Sequence, residues 1–227
     1  MAVLKTVLAD IEKEYDAKMA PSGAWSLAKN FPGGVTAEER HTLEKCSVFD
    51  RCHTARYRVT GTDVFKKLSS IISFEVSEIF ADDIVSGAFS GEDVSLLCMA
   101  DDDCILLTEK RPAAEAIAKE LPDLEFFDLS DALAQLDVAG AELASVLEDF
   151  EITQDDIPEK GKLAKRIVAE VNSIYFVNES FPVPALTLIF NAEYAEGMWE
   201  EFVDTFPVKP AGFAAREKLV AKENTEE

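Results

Sequence analysis

Both histidines of the chain and two of its four cysteines fall in one short window: His41, Cys46, Cys52 and His53. Zinc takes four imidazole or thiolate ligands in a tetrahedron, so this window is a candidate metal site. The spacing argues against it. Structural sites pair ligands about two to four residues apart, twice, whereas here only Cys52 and His53 are close, and adjacent side chains rarely reach one ion. The plainer expectation is two buried cysteines with histidines near a surface turn.

Asp101, Asp102 and Asp103 are the second candidate, because clustered carboxylates suit a hard cation such as magnesium or calcium. The spaced oxygen ligands, glycine and late glutamate of an EF-hand loop are missing around them. Cys98 and Cys104 flank this turn and are expected to face each other as small buried hydrophobes. A disulfide between them conflicts with the reducing compartment expected below.

Other chemistry finds no support. The chain has no Gly-x-x-x-x-Gly-Lys phosphate loop and no Gly-x-Gly-x-x-Gly fingerprint. Gly87-Ala-Phe-Ser90-Gly91 sets its serine one place off a nucleophile elbow. A Ser–His–Asp triad would have to draw on His41 or His53, and no pattern brings Ser90 to either. Catalytic residues are therefore unassigned, and no cofactor is expected unless zinc or another divalent cation occupies the candidates above.

The elements that would position these residues centre on 90–150. Val94–Met99 and Cys104–Thr108 are apolar runs around the aspartate turn and predict a hairpin. Pro112 opens a helix that Pro122 ends. Leu124–Phe127 predicts a strand, and Ser130 an N-cap for a helix carrying Leu133, Leu136, Leu143, Val146, Leu147 and Phe150 on one face. Upstream, Val3, Leu4, Val7, Leu8, Ile11, Tyr15 and Met19 predict an amphipathic N-terminal helix, a possible seam for a homo-oligomer. Pro21–Gly34 reads as a loop, Ala55–Thr60 as a strand, Phe74–Val76 as another, and Asp82–Gly91 as loop. Gln154–Gly161 is polar and a candidate linker. Beyond it, Leu163, Ile167, Val168 and Val171 predict a helix, followed by strands at Ile174–Val177 and Ala185–Phe190.

The expected fold is thus α/β or α+β, a mixed sheet covered by helices. The expected division is an N-terminal region 1–153 built around 90–150, a linker 154–161, and a C-terminal α/β segment 162–227 that could belong to the same domain.

Net charge is −22, from 44 Asp and Glu against 22 Lys and Arg. The acidity is concentrated: residues 61–160 hold 25 acidic against 6 basic side chains. Such a segment repels phosphates, so direct nucleic-acid binding there is not expected. No run reaches the ~20 apolar residues of a membrane helix, and no secretory signal stands at the N-terminus. Four cysteines without an export signal point to a cytoplasmic protein.

These observations lead to an expected function without catalysis: an acidic cytoplasmic interaction or assembly component, such as an accessory subunit, chaperone, immunity-type inhibitor or virion component. Its partner would be a protein, one with a basic surface being the complement of this charge. The alternatives are a DNA mimic that fills the basic groove of a nucleic-acid-binding protein, and a metal-assisted hydrolase of α/β fold.

Overall fold

Short apolar runs broken by turns dominate the chain, and most of them become strands. The computed structural model describes residues 3–74, 78–205 and 208–223. These form two compact units: one holds Met1–His53, Ala134–Lys160 and Ala164–Glu227, the other Thr54–Leu133 with Gly161–Leu163.

The first unit opens with β1 (Leu4–Lys5), α1 (Ala9–Glu14), β2 (Lys18–Ser22), β3 (Trp25–Asn30), α2 (Val35–Glu44) and β4 (Cys46–Asp50). The second follows with β5 (Ala55–Thr60), α3 (Val64–Leu68), β6 (Ser73–Phe74), β7 (Ile84–Phe89), β8 (Glu92–Ala100), β9 (Asp103–Thr108), α4 (Arg111–Glu120) and β10 (Glu125–Asp128). The chain then returns through β11 (Leu133–Ala139), α5 (Leu143–Asp149), β12 (Leu163–Val168), β13 (Val171–Val177), β14 (Ala185–Asn191), α6 (Ala195–Glu200), β15 (Val208–Pro210) and α7 (Phe213–Glu223).

The fold is mixed α/β, as expected. In the first unit a six-stranded sheet runs β12-β13-β14-β11-β4-β15, beside a three-stranded sheet β1-β3-β2. Strand β4 is antiparallel to β11 and parallel to β15, so the larger sheet is mixed. Its core gathers Leu136, Val138, Tyr175, Leu188, Trp199 and Phe202. The second unit's sheet runs β10-β5-β9-β8-β7-β6 with antiparallel neighbours throughout. It buries Val59, Leu68, Leu96, Leu106 and Ile117, each contributing about 1.5–3 kcal/mol through removal from water. The hairpin around Asp101 forms as β8 and β9, and the strands at 174–177 and 185–190 pair antiparallel within β13 and β14.

Three expected helices take other forms. The amphipathic helix over 3–19 is replaced by β1, α1 and β2: Leu8 and Ile11 are buried, but Val3, Leu4 and Val7 are exposed, so no single apolar stripe exists. Residues 133–139 form a strand. Ala134, Leu136 and Val138 face one core while Asp137 and Ala139 face the other side, the period-2 pattern of a strand buried on both faces. Gly140 follows that strand where the chain has no room for a side chain: a Cβ there would stand 2.0 Å from the Lys45 carbonyl oxygen. Residues 163–168 are also a strand, leading through a two-residue turn at Ala169 and Glu170, both at positive φ, into β13. The loops expected at 21–34 and 82–91 contain β3 and β7. Of the strand expected at Phe74–Val76, the part beyond Phe74 lies outside the described residues. Among the described residues no helix is long and apolar enough to cross a membrane.

Candidate functional site

The first unit carries an open cleft of about 380 Å³, within the range of small-molecule sites. Helix α2 supplies Ala37, Glu38, Arg40, His41 and Glu44, and Pro32 stands just before it. Tyr15 and Phe31 add aromatic walls, and β4 and β15 close it with Ser47, Lys209 and Pro210. Gly33-Gly34 begins the helix here, Gly34 standing at the N-cap with φ 79°.

The cleft's polar groups have distinct jobs. Glu38 is buried and accepts from the backbone N–H of Phe31 and, at 3.1 Å, that of Gly212. It therefore ties the start of α2 to the turn before α7. Burial pushes its carboxyl up, opposed by those two hydrogen bonds. His41 is pushed down by partial burial and then by the charge of Lys209, and its Nε2 is buried without a hydrogen-bond partner. Neutral imidazole is thus its form near pH 7. Tyr15 donates to Asp204 at 2.7 Å, and burial with that carboxylate pushes its phenol up to about 12.

A smaller cavity in the same unit lies against Glu12, Leu27, Ala28, Asp50, Ala211 and Phe213. It has about 10 Å³ of space for the centre of a water-sized occupant, room for one such molecule. Glu12 is 1% exposed, and burial, then the charge of Asp50, pushes its carboxyl up to about 9, with Lys13 opposing.

Deeper in the sheet, Asp137 on β11 is fully buried among cations. Arg216 on α7 donates from Nε to its Oδ2, Arg51 Nε lies 3.7 Å from the same oxygen, and Thr187 donates to Oδ1 at 2.6 Å. Burial pushes this carboxyl up, but Arg216, Arg51 and Thr187 together outweigh it and hold it below the ordinary range. Arg216 also lies over the Phe181 ring, 5.4 Å from its centre. This network fastens α7 to the sheet.

The zinc candidates are dispersed over different settings. His41 lies on α2 in the cleft, while Cys46 begins β4 and is buried, its thiol pushed up to about 12 by that burial. Cys52 is buried against the backbone of Gln135, with Sγ 3.5 Å from its carbonyl oxygen and from its N–H nitrogen. His53 follows it in a turn. Among the described residues no group of three or more His, Cys, Asp and Glu side chains is placed to hold a metal ion. Asp101 and Asp102 sit at the β8–β9 turn, and Asp103 is engaged bidentately by Arg58 at 2.7 and 3.0 Å. Cys98 and Cys104 are register partners in the hairpin, buried and free. Glu12 and Asp137 were invisible as candidates: each looks like one more acidic residue on the polar side of an expected helix.

A family model described as the GCVT N-terminal domain matches residues 8–223. The chain is 23% identical over 240 residues to the mitochondrial aminomethyltransferase of Dictyostelium discoideum, covering 95% of this chain and 59% of that protein. It is 24% identical over 245 residues to the aminomethyltransferase of Thermoanaerobacter pseudethanolicus, covering 95% and 62%. The chain thus spans about three fifths of these relatives' length. In fold it is similar to the glycine cleavage system aminomethyltransferase T from Bartonella henselae, with a TM-score of 0.83 at 17% identity, covering 96% of this chain and 62% of that one. A heterotetrameric sarcosine oxidase from Corynebacterium sp. U-96 gives a TM-score of 0.51 at 12% identity, covering 71% of this chain and 85% of that one.

These findings overturn the expected non-enzymatic interaction or assembly component, together with its DNA-mimic and metal-assisted hydrolase alternatives. The relatives are enzymes named for moving an aminomethyl group. The lack of a nucleophile elbow or phosphate loop in this sequence therefore did not exclude membership of an enzyme family. With residues 8–223 matched, the chain belongs to the family of the GCVT N-terminal domain.

Proposed function

We propose that this chain takes part in the transfer of an aminomethyl group, with the cleft of the first unit receiving a substrate. The match to the GCVT N-terminal domain over 8–223 carries this reading. The cleft adds a volume suited to a small molecule, aromatic and proline walls, and Arg40 and Lys209 for a negatively charged part of it. His41, held neutral, supplies a group able to accept or donate a proton near pH 7.

The same reading includes a protein partner. One relative in fold is a glycine cleavage system protein and another is a heterotetramer. The charge of −22 favours a partner with a basic surface. Four free, buried cysteines fit a reducing compartment such as the cytoplasm.

The test is substitution. In a glycine cleavage reaction reconstituted without its aminomethyltransferase, this chain is added and one-carbon release from labelled glycine is followed. Release above the blank is expected. A folded chain giving none, in a mixture that the Bartonella henselae enzyme restores, overturns the reading.

A further inference from the structure

Two thiols in the second unit stand face to face. Cys98 of β8 and Cys104 of β9 are register partners in the antiparallel hairpin, and both side chains enter the same core as Leu96 and Leu106. Two hydrogen bonds fix which kind of partners they are. The Cys98 N–H donates to the Asp83 carbonyl at 2.9 Å, and the Cys98 carbonyl accepts from the Asp82 N–H at 2.8 Å. Both backbone groups of Cys98 therefore point away from β9, which makes this a non-hydrogen-bonded pair, the closer of the two kinds in an antiparallel ladder. The Cα atoms of such a pair lie about 4.5 Å apart, inside the roughly 4.4–6.8 Å that a disulfide spans. Burial, and then the nearness of Cys98, push the Cys104 thiol up. The other two cysteines have different neighbours: Cys46 is the register partner of Val208, and Cys52 lies against Gln135.

We propose that Cys98 and Cys104 form a reversible redox pair, open as two thiols in the reduced protein and closed as a cross-strand disulfide when a small-molecule disulfide is in excess. The thiolate of one cysteine attacks a sulfur of the small disulfide, RSSR, forming a mixed disulfide with the protein and expelling RS−. The second thiolate attacks the protein sulfur of that bond, closing the link between the two cysteines and expelling a second RS−. The two thiol protons pass through solvent to the two RS− groups. The net change converts two protein thiols and RSSR into one protein disulfide and two RSH, so the pair is oxidised and RSSR reduced. In a reducing compartment the pair stays open.

The pair's place in the hairpin governs how the reagent reaches it. Both cysteines are buried. Little thiolate exists while the hairpin is closed, because burial and then the charge of Asp83 push the Cys98 thiol up to about 12. The Ala100–Asp103 pair alone separates the two cysteines from the exposed turn at Asp101 and Asp102, and the register slips between Cys98 and Ala100. A bulge of this kind interrupts the ladder, so the turn end can open without the rest of the sheet. Closure follows at the rate of that opening. Once made, the bridge holds β8 to β9 where their ladder is weakest.

The experiment incubates the reduced, folded full chain with oxidised glutathione in excess over reduced glutathione, then titrates the remaining thiols after denaturation. The number is expected to fall slowly from 4 to 2 and to return to 4 with dithiothreitol. Proteolysis at Asp101–Asp103 locates the bond, since the fragments carrying Cys98 and Cys104 then stay joined until the bridge is reduced. Cys98→Ala and Cys104→Ala should each release separate fragments, and two variants are used so that one failing to fold leaves the other decisive. Replacing both Cys46 and Cys52 with alanine should leave the fragments joined. A second arm refolds the denatured chain in the same redox buffer, which removes the barrier that burial sets. Four thiols retained in both arms overturns the proposal, as does a bridge that includes Cys46 or Cys52. A bridge made on refolding and never in the folded chain overturns the reversible pair. With the bridge closed, amide exchange at the turn end of the hairpin is expected to slow about tenfold or more. Unchanged exchange overturns the opening of that end as the route.

Discussion

Arg216 Nε donates to Asp137 Oδ2 across 2.8 Å, joining the C-terminal helix to a central strand laid down 79 residues earlier in the chain. Buried charges so paired are costly to leave half-made. Asp137→Ala takes the carboxylate from beside the partly buried Arg216 and is expected to cost about 3–5 kcal/mol in denaturant unfolding. Because its folded pKa is lowered, the stability due to Asp137 is present above the unfolded carboxylate pKa and lost as pH falls through the folded one. Asp137→Asn should lack that acid-side loss.

Glu12 works in the opposite sense. Its pKa is raised from 4.5 to about 9, so the folded state holds a proton that the unfolded state releases in between. Stability therefore falls as pH rises through that window, by up to about 1.4 kcal/mol per pH unit from this one group. Glu12→Gln cannot ionise. The difference between variant and wild-type stability, followed by urea unfolding from pH 5 to pH 9, should grow steadily in the variant's favour.

The cleft offers a cleaner titration. Lys209 charge helps push His41 down, second to burial. Lys209→Ala should raise the His41 pKa toward the ordinary value, and the imidazole C–H signals can report it because the chain has only 2 histidines. An unmoved or lowered pKa would contradict the geometry of β15 against α2.

All four cysteines are free and buried. Burial pushes the Cys46 and Cys98 thiols up to about 12, and Cys104 higher still, leaving little thiolate to react. A disulfide-exchange reagent at pH 8 should label the native chain at least tenfold more slowly than the denatured chain, which should yield 4 thiols. Rapid native labelling of Cys98 or Cys104 would argue against the buried hairpin.

Local signals were enough where turn chemistry and periodicity agreed. The triple-aspartate hairpin and the helix opened by Pro112 are of that kind. They failed where a strand is wet or dry on both sides. In β11 Leu133 and Leu136 mimic a helical stripe, and only the sheet neighbours decide the matter. In β12 the turn at Ala169–Glu170 uses residues that seldom adopt positive φ, so nothing announced a hairpin. The candidate site was illegible for a related reason. Glu12 matters because Asp50 is beside it, and that proximity is a property of the packed unit.

The route of the chain bears on how the protein is made. Val48 of β4 pairs with Val138 of β11, and nearly all of the second unit, Thr54–Leu133, is threaded between them. A ribosome adding about 5–20 residues per second releases β4 seconds before its partner exists. The second unit is nearly continuous in sequence and its β7–β8–β9 strands are joined by tight turns, so it can close early, local pairings being the fast ones. Until β11 emerges, the apolar run Cys46–Phe49 waits with an unpaired edge. That run is open to wrong pairing for as long as the wait lasts.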